Sequence, residues 1–373
     1  MVPLRSPRLP LELTDMVIHY LHDDMPSLSA CSLTCRDWLP RAQSLQFKAA
    51  KIYIDNWKDF QTLFKVSRSL ASFVRVLKIA KTVKVKRYLS PSNSDVAQWK
   101  EGLPAIVSDV HLPRLTDLSL DYMEFDGSLF GGCRIQSIHS VTLSHCQFKD
   151  MPELIRLLSS FPKLKNVEAH TPHVSSDLVT NTLEVADAKS LPAIISFAIH
   201  RASGCFMMQI LQCFICEPIF KDLSGLVLPL FQEGAASLKQ FLETCGSRLQ
   251  KLVIYLEPDF TLEALSKPEF TLAHCTNLQT LEFEVPSLGD STQVENTGLL
   301  DWVPYILSQV SSPHLQCFTF HLYDQVAGAD DMDRHLNALD WKRVEDILAG
   351  FEALREVTMR LEVRASVGLR IIV

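Results

Sequence analysis

Cysteine and histidine residues are the sequence's candidates for metal binding. Cys213 and Cys216 form a C-x-x-C pair, and such pairs bind zinc when two further ligands follow at a regular spacing. Neither His200 nor Cys205 lies at such a spacing. We therefore expect the pair to pack within a helix, because free cysteines behave as small hydrophobic residues. No metal or cofactor site is predicted.

The other polar residues do not indicate enzyme chemistry. Two pairs of histidines are close enough along the chain to face one another: His170 with His173, and His19 with His22. Neither pair has a carboxylate arrangement that stands out. An acidic loop between residues 324 and 336 lacks the fixed ligand spacing of a calcium-binding loop. The sequence contains no G-x-S-x-G, phosphate loop, dinucleotide fingerprint or H-E-x-x-H, so the chain is predicted not to be an enzyme.

Bulk composition narrows the class of protein. Hydrophobic residues make up 47% of the 373 residues and charged residues 21%, as in a well-packed globular protein. The net charge is −7, and the basic residues between 78 and 87 alternate with valine and isoleucine, which is typical of a strand edge. No stretch approaches the roughly 18 apolar residues of a membrane span, and no secretory signal is recognisable. We expect a protein of the cytoplasm and/or nucleus that binds neither nucleic acid nor a membrane.

The first forty residues place apolar side chains at helical spacing. The apolar stripe of a first helix comprises Leu13, Val17, Tyr20 and Leu21. A second helix is predicted after Asp24, with Pro26 in its first turn. Two or three helices of this length bury too little apolar surface to be stable alone. The stripe is therefore expected to be covered, either by a partner or by the following domain of the same chain.

The order of residue types in this stretch resembles the F-box. The matching residues are Leu9, Pro10, Glu12, Leu13, Val17, Leu21, Asp24, Met25, Leu28, Cys35, Arg36 and Trp38. Thr34 departs from the family's pattern, which usually has valine there. The resemblance implies docking onto the Skp-type adaptor of a cullin-RING ubiquitin ligase. The residues implied to contact the adaptor are Leu9, Pro10, Leu13, Val17, Leu21, Leu28, Cys31, Cys35 and Trp38.

A repeated apolar pattern occupies the rest of the chain. Ten copies of the order apolar-x-x-apolar-x-apolar can be placed along the chain at intervals of 23 to 41 residues, around the 20–29 residues of leucine-rich repeats. The repeats begin at Val74, Leu115, Ile138, Leu164, Ile194, Leu223, Leu249, Leu278, Leu315 and Leu354. Of the thirty residues at positions three, five and seven, which the pattern does not select, seven are hydrophobic, where the overall 47% gives about fourteen. These positions are predicted to form the polar face of a sheet, because side chains alternate along a strand.

Helices are predicted to connect several of these strands. They span residues 151–159, 237–245, 301–309 and 340–351. A unit of helix, turn and strand resembles a leucine-rich repeat, although the asparagine or cysteine that usually follows the strand appears only as Cys146. The predicted fold is α/β: a three-helix F-box at 1–45, a helical linker at 46–70, and a leucine-rich-repeat solenoid with a curved parallel sheet at 71–373.

This combination predicts the substrate-recognition subunit of a Skp-cullin-F-box type ubiquitin ligase. The F-box would bind the adaptor, and the polar face of the curved sheet would bind an unidentified target protein. The residues predicted to contact the target are Asp117, Asp121, Glu168, His170, Val227, Val253, Tyr255, Glu282 and Glu284. One alternative is a repeat scaffold that binds a partner without ubiquitin transfer. Another is a hydrolase on an unusual fold, which needs a deep pocket holding a titratable group of strongly shifted pKa.

Overall fold

The chain forms two compact units. The computed structural model describes residues 10–81, 112–125, 135–175, 191–231, 234–256, 271–285, 302–324, 340–363 and 369–372. The first unit comprises Met1–Gln147 and Arg156–Lys163, and the second comprises Phe148–Ile155 and Leu164–Val373. Leu9, most of the basic stretch 78–87 and the acidic loop between 324 and 336 lie outside the described residues. Within these ranges, no helix has the length and apolar character needed to cross a membrane.

Three helices open the first unit. They are α1 (Leu11–Tyr20), α2 (Met25–Thr34) and α3 (Leu39–Gln46). A carboxylate oxygen of Asp24 accepts a hydrogen bond from the backbone N–H of Ser27 at 3.1 Å, which satisfies one free donor at the start of α2. Buried Ile18, Leu28 and Ala42 join the three helices in a small core. The partly buried residues packed against that core are Leu21, Cys31, Trp38 and Leu45.

The first unit continues as a parallel sheet. Its strands are β1 (Ala49–Tyr53), β2 (Val76–Ala80), β3 (Asp117–Asp121) and β4 (Ser140–Ser144), and its helices are α4 (Trp57–Val66) and α5 (Arg68–Ala71). Each strand pairs in parallel with the next. β1 lies in the segment predicted to be a helical linker, which therefore is not wholly helical. Phe47, Ala50 and Ile52 repeat the apolar pattern, and β1 begins at its third residue. The repeats thus start one unit earlier than predicted.

The second unit is built on a longer sheet. The strands of this sheet are β6 (Asn166–His170), β8 (Ser196–His200), β9 (Gly225–Leu230), β10 (Lys251–Leu256), β11 (Thr280–Val285), β12 (Cys317–Asp324), β13 (Glu356–Val363) and β14 (Leu369–Ile372). β7 (His173–Val174) belongs to a separate two-stranded sheet. β6 and β8 to β13 are parallel, and β14 pairs antiparallel with β13. The helices are α7 (Gly204–Cys216), α8 (Ala235–Cys245), α9 (Trp302–Gln309) and α10 (Trp341–Leu348). A short strand β5 (Gln147–Phe148) and the helix α6 (Met151–Ser159) precede β6.

The strands match the predicted repeat closely. All ten predicted strands begin at the third residue of the apolar pattern. Equivalent positions are aligned across neighbouring strands, as with Glu168 and Ala198. Residues four and six point into the core, as Leu118 and Leu120 show with exposures of 1% and 0%. β13 departs from the pattern, because Thr358 is the buried residue there.

A left-handed turn follows several strands. The residues directly after β3, β4, β6 and β8 have φ angles from 49° to 55°: Tyr122, His145, Thr171 and Arg201. The Thr171 N–H donates to the His200 carbonyl at 2.8 Å, so the turn joins neighbouring strand ends. Cys146 lies in the turn after β4, with its Sγ 3.4 Å from the Leu120 carbonyl oxygen. Burial raises the pKa of this thiol to about 12, so Cys146 keeps its proton and can donate a hydrogen bond. It does so at the position where leucine-rich repeats usually have asparagine or cysteine.

Aromatic side chains fill part of the core of the second unit. The rings in edge-to-face contact, with centroids 4.7–5.9 Å apart, belong to Phe197, Phe214, Phe220 and Phe241. The C-x-x-C pair lies near the end of α7, so its predicted helical placement is confirmed. Cys213 is partly buried and Cys216 is exposed, so only Cys213 packs as predicted. Neither cysteine belongs to a group of three metal-ligating side chains among the described residues.

Candidate functional site

One face of α1 exposes a row of large apolar side chains. The row follows the helical spacing i, i+3, i+4 and i+7. It comprises Leu13 (43% exposed), Met16 (55%), Val17 (54%) and Tyr20 (82%). We call these four residues the apolar helix face. Another side of α1 is buried against the other two helices through Thr14 and Ile18. A contiguous exposed apolar patch of this kind marks an interaction site.

Several of the predicted adaptor contacts lie elsewhere in the helices. Leu28 is fully buried in the small helical core, which leaves no part of its side chain accessible for the predicted contact with a partner. Its side chain instead holds the three helices together. Leu21, Cys31 and Trp38 are partly buried beside it, whereas Pro10 and Cys35 are exposed. Met16 was not among the predicted contacts, although its spacing from Leu13 places it on the same helix face.

In the first unit, one predicted target contact is engaged within the chain. The side chain of Asp121 is 10% exposed, and its Oδ2 lies 3.2 Å from Nζ of Lys78. Little of this carboxylate is left for a target, so the predicted role of Asp121 is not supported. Asp117 remains half-buried on β3, where its Oδ2 accepts a hydrogen bond from Oγ1 of Thr116 at 2.6 Å.

Two histidines and a glutamate meet on the polar face of the second unit. Glu168 and His170 are two residues apart on β6 and therefore point to the same side of the sheet. The strand register places His200 of β8 directly beside His170, and their rings stack with centroids 4.7 Å apart. Oε1 of Glu168 lies 3.0 Å from Nε2 of His170 and 3.5 Å from Nε2 of His200. We call these three residues the histidine–glutamate cluster.

Backbone features at the strand ends position this cluster. On one side, the hydrogen bond from Thr171 to the His200 carbonyl ties the end of β6 to that of β8. On the other side, the pairing of β8 with β9 ends at Ala198. Pro229 lies two residues after Val227 on β9, at the position that would pair with His200. Proline has no N–H with which to continue the ladder of hydrogen bonds. The ring of Tyr255, from β10, approaches the His200 ring edge-on at 5.4 Å.

Burial controls the charge of His200. Burial is the main cause that lowers the pKa of this imidazole, and the neighbouring His170 lowers it further, while the Glu168 carboxylate acts in the opposite direction. The balance favours a neutral ring, which has a free lone pair on one nitrogen. The cluster therefore offers an imidazole lone pair and a carboxylate oxygen at one place.

A second group with related chemistry lies on the polar face of the same unit. His321 is 5% exposed, and its Nε2 lies 3.4 Å from Oε1 of Glu282. The register places Glu284 beside His321. Among the described residues, this group and the histidine–glutamate cluster are the two that bring three ligand atoms of His, Cys, Asp or Glu within 4.8 Å. Both groups contain residues predicted to contact a target.

The predicted apolar middle of the face is only partly accessible. Val253 is 3% exposed, so little of its side chain is accessible for the predicted contact with a target. The register places it between Val227 and Glu282 on the polar face. Val227 and Tyr255 are half-buried and keep an accessible part. His200 and His321 were not among the predicted target contacts. Both occupy position seven of a repeat, and the alignment of that position across strands is the signal that could have found them.

Comparison with known proteins shows a distant structural likeness. No protein-family model and no curated protein matches this sequence. A chain from the crystal structure of a TLR13–ssRNA13 complex is similar to this chain with a TM-score of 0.34 and 14% sequence identity. The likeness covers 75% of this chain and 32% of that chain, so this chain spans about a third of the other's length. A likeness at this level carries no information on what this chain binds.

Proposed function

We propose that the chain is the substrate-recognition subunit of a Skp-cullin-F-box type ubiquitin ligase. In this proposal α1 to α3 form an F-box that binds a Skp-type adaptor, and the polar face of the sheet binds a target protein. The order of residue types from Leu9 to Trp38 resembles the F-box. The observation that carries the proposal is the apolar helix face, which the described part of the chain leaves uncovered.

The apolar helix face can contribute substantially to binding. Burying a whole valine or leucine side chain contributes about 1.5–3 kcal/mol. Leu13 and Val17 are 43% and 54% exposed, so roughly half of that free energy is gained only when another protein covers them. Tyr20 adds a large ring with a polar end, a combination that is enriched in protein interfaces. α1 therefore offers a partner both apolar area and the hydroxyl group of Tyr20.

The core beneath this face supports a preformed binding surface. Ile18 of α1 packs with Leu28 of α2 and Ala42 of α3. Nε2 of Gln46 also donates a hydrogen bond to Oγ of Ser29 at 2.9 Å, which connects α3 to α2. A surface held in place before binding loses less conformational entropy when the partner arrives. The three helices can therefore bind a partner without first having to fold or rearrange.

The polar face of the second unit suits a target with basic residues. Glu168, Glu282 and Glu284 supply negative charge, and opposite charges favour the encounter and the orientation of partners. Tyr255 provides an aromatic anchor of the kind that dominates many interfaces. Holding the target next to a ubiquitin-loaded partner raises its effective concentration, so transfer becomes effectively intramolecular. This role needs no catalytic residue in the chain itself.

Replacing Val17 by aspartate tests the proposed adaptor contact. We expect the unaltered full chain to co-purify with a co-expressed Skp-type adaptor, and Val17→Asp to lose it. The reason is that an aspartate buried in the interface would be desolvated without a partner charge. Val66→Asp is the matched control, because Val66 is 80% exposed near the end of α4 and carries the same substitution on another helix. The control is expected to retain the adaptor.

Two results would contradict the proposal. One is an unaltered chain that captures no adaptor, and the other is adaptor binding that Val17→Asp leaves equal to that of Val66→Asp. Reconstitution with the cullin and ubiquitin-loading enzymes separates the receptor from the scaffold. Ubiquitin transfer to proteins captured by the chain supports a receptor. Adaptor binding without any transfer favours the scaffold that binds its partner without ubiquitin chemistry.

A further inference from the structure

The histidine–glutamate cluster presents three ligand atoms in a shape that fits a metal ion. Both imidazole Nε2 atoms turn toward the same carboxylate oxygen of Glu168, at 3.0 and 3.5 Å. All three ligand atoms lie within 4.8 Å of one another. We propose that Glu168, His170 and His200 form a binding site for a divalent transition-metal ion of the zinc class. The sequence analysis predicted no metal site, because the three residues come from two strands.

The distances agree with the coordination geometry of zinc. Zinc binds imidazole nitrogen and carboxylate oxygen at about 2.0–2.2 Å in a tetrahedron, which places neighbouring ligand atoms about 3.3–3.6 Å apart. The two measured separations from Oε1 of Glu168 differ from this range by at most a few tenths of an ångström. Rotation of exposed side chains suffices to reach ideal geometry. Two imidazoles and one carboxylate are also a donor set that zinc uses in proteins.

The strand register brings the two imidazole ligands together in the absence of a metal. His170 and His200 are partners across β6 and β8, and their rings stack with centroids 4.7 Å apart. The strand pairing thus holds the two histidine positions side by side before a metal arrives. A preformed site loses little conformational entropy on binding the ion.

The second group, at Glu282, fits this class of metal less well. It contains two carboxylates and one histidine, and oxygen-rich sites suit harder ions such as magnesium or calcium. His321 in that group is 5% exposed, whereas the side chains of Glu168 and His170 are 47% and 40% exposed. The histidine–glutamate cluster is thus open to an ion from solution.

Three protein ligands leave a fourth coordination position open to solvent. A water molecule can fill that position in the chain alone. A carboxylate, imidazole or thiolate from a bound protein can replace the water, which would let the metal join two proteins at the polar face. Metal binding itself follows from Glu168, His170 and His200 and does not depend on the proposed ligase function.

Zinc titration of the full chain, without a histidine tag and after treatment with a chelator, tests the site. We expect calorimetry to show a zinc site that becomes at least about 100-fold weaker in His170→Ala and in His200→Ala, because even outer-shell changes weaken metal binding 10–100-fold. The matched control is His173→Ala, since His173 is exposed on β7 outside the cluster. We expect this control to bind zinc as the unaltered chain does.

Two further variants make the test independent of folding. Glu168→Gln keeps the size of the side chain, and we expect it to weaken zinc binding while the circular dichroism spectrum stays unchanged. Cys213→Ala is expected to keep full affinity, and bound cobalt is expected to show no thiolate charge-transfer band. The proposal is overturned if the unaltered chain binds no zinc. It is also overturned if His170→Ala and Glu168→Gln bind zinc as tightly as His173→Ala, or if Cys213→Ala is the variant that loses the site.

Discussion

Apolar side chains are largely buried in the strand repeats but often exposed in the three helices at the start of the chain. In the repeats, Leu118 on β3 is 1% exposed, whereas Leu13 on α1 is 43% exposed. Of the thirteen large hydrophobic residues that are exposed in the described part of the chain, seven lie between Leu11 and Leu33. The exposed apolar surface is therefore concentrated in the three helices.

The difference follows from how each region closes its core. Each strand repeat covers the apolar face of its neighbour, so stacking leaves little apolar surface open. The three helices have a core of Ile18, Leu28 and Ala42, which is small enough that much apolar surface stays outside it. The repeats are stable through their own neighbours, and the helices present a surface that another protein can complete.

The same substitution in both regions measures this contrast. We expect Leu118→Ala to lower the free energy of unfolding by about 2–5 kcal/mol, because it removes buried methyl groups and leaves a cavity. We expect Leu13→Ala to change it by no more than about 0.5 kcal/mol, as for surface substitutions in general. Urea unfolding followed by circular dichroism gives both values.

Leu28→Ala is the control that tests whether burial, and not the location in the three helices, determines the loss of stability. Leu28 is 0% exposed although it lies in the same small region as Leu13, so its replacement should destabilise α1 to α3 by an amount close to that of Leu118→Ala. Equal losses from Leu13→Ala and Leu28→Ala would contradict the contrast. Such a result would mean that the chain itself covers the apolar helix face in solution.

The strands could be predicted because their pattern is local. The alternation of apolar and polar residues over about six positions is enough to locate each strand. Stacking also requires the same positions to be buried in every repeat. β1 escaped prediction because it lies between α3 and α4, in a segment whose flanking residues have helical spacing. Val253 is less accessible than predicted because a strand in the middle of a sheet can bury valine at a position that alternation assigns to the surface.

The buried side of α1 and the histidine–glutamate cluster depend on features outside the local pattern. Thr14 is buried although it is polar, because its hydroxyl donates a hydrogen bond to the Pro10 carbonyl at 3.2 Å. Val17, on the neighbouring side of α1, is 54% exposed although it is apolar. His200 joins His170 only through the pairing of two strands thirty positions apart, which spacing along the sequence does not reveal.

The pH dependence of stability offers a second test on the repeat side. The pKa of Cys146 is raised from 9.0 to about 12 by burial. The stability linked to this proton is complete below about pH 9 and is lost as the pH rises toward 12, because the unfolded chain releases the proton first. We expect the free energy of unfolding to fall by roughly 1 kcal/mol between pH 7 and pH 10 on account of this thiol. Cys146→Ala should show a shallower decline in urea unfolding measured at both pH values.

Cys35 supplies the control from the helical region. It is exposed at the end of α2, so Cys35→Ala should leave the decline unchanged. Burial also raises the pKa of Cys213 and Cys275 to about 12. These two thiols therefore contribute to the decline of the unfolding free energy with pH in every variant. An identical slope in Cys146→Ala and Cys35→Ala would show that the turn after β4 lets solvent reach its thiol.

The smallest expected effect concerns charges on the polar face of the first unit. Asp121→Asn removes the ion pair with Lys78, whose side chain is 35% exposed and can be solvated alone. We expect a loss of about 0.2–1 kcal/mol in urea unfolding at low salt, and a smaller loss at 1 M salt because ions screen the pair. A loss above about 2 kcal/mol that salt does not reduce would contradict this. It would mean that the carboxylate is part of the core, and that polar-face charges stabilise the repeats as the buried leucines do.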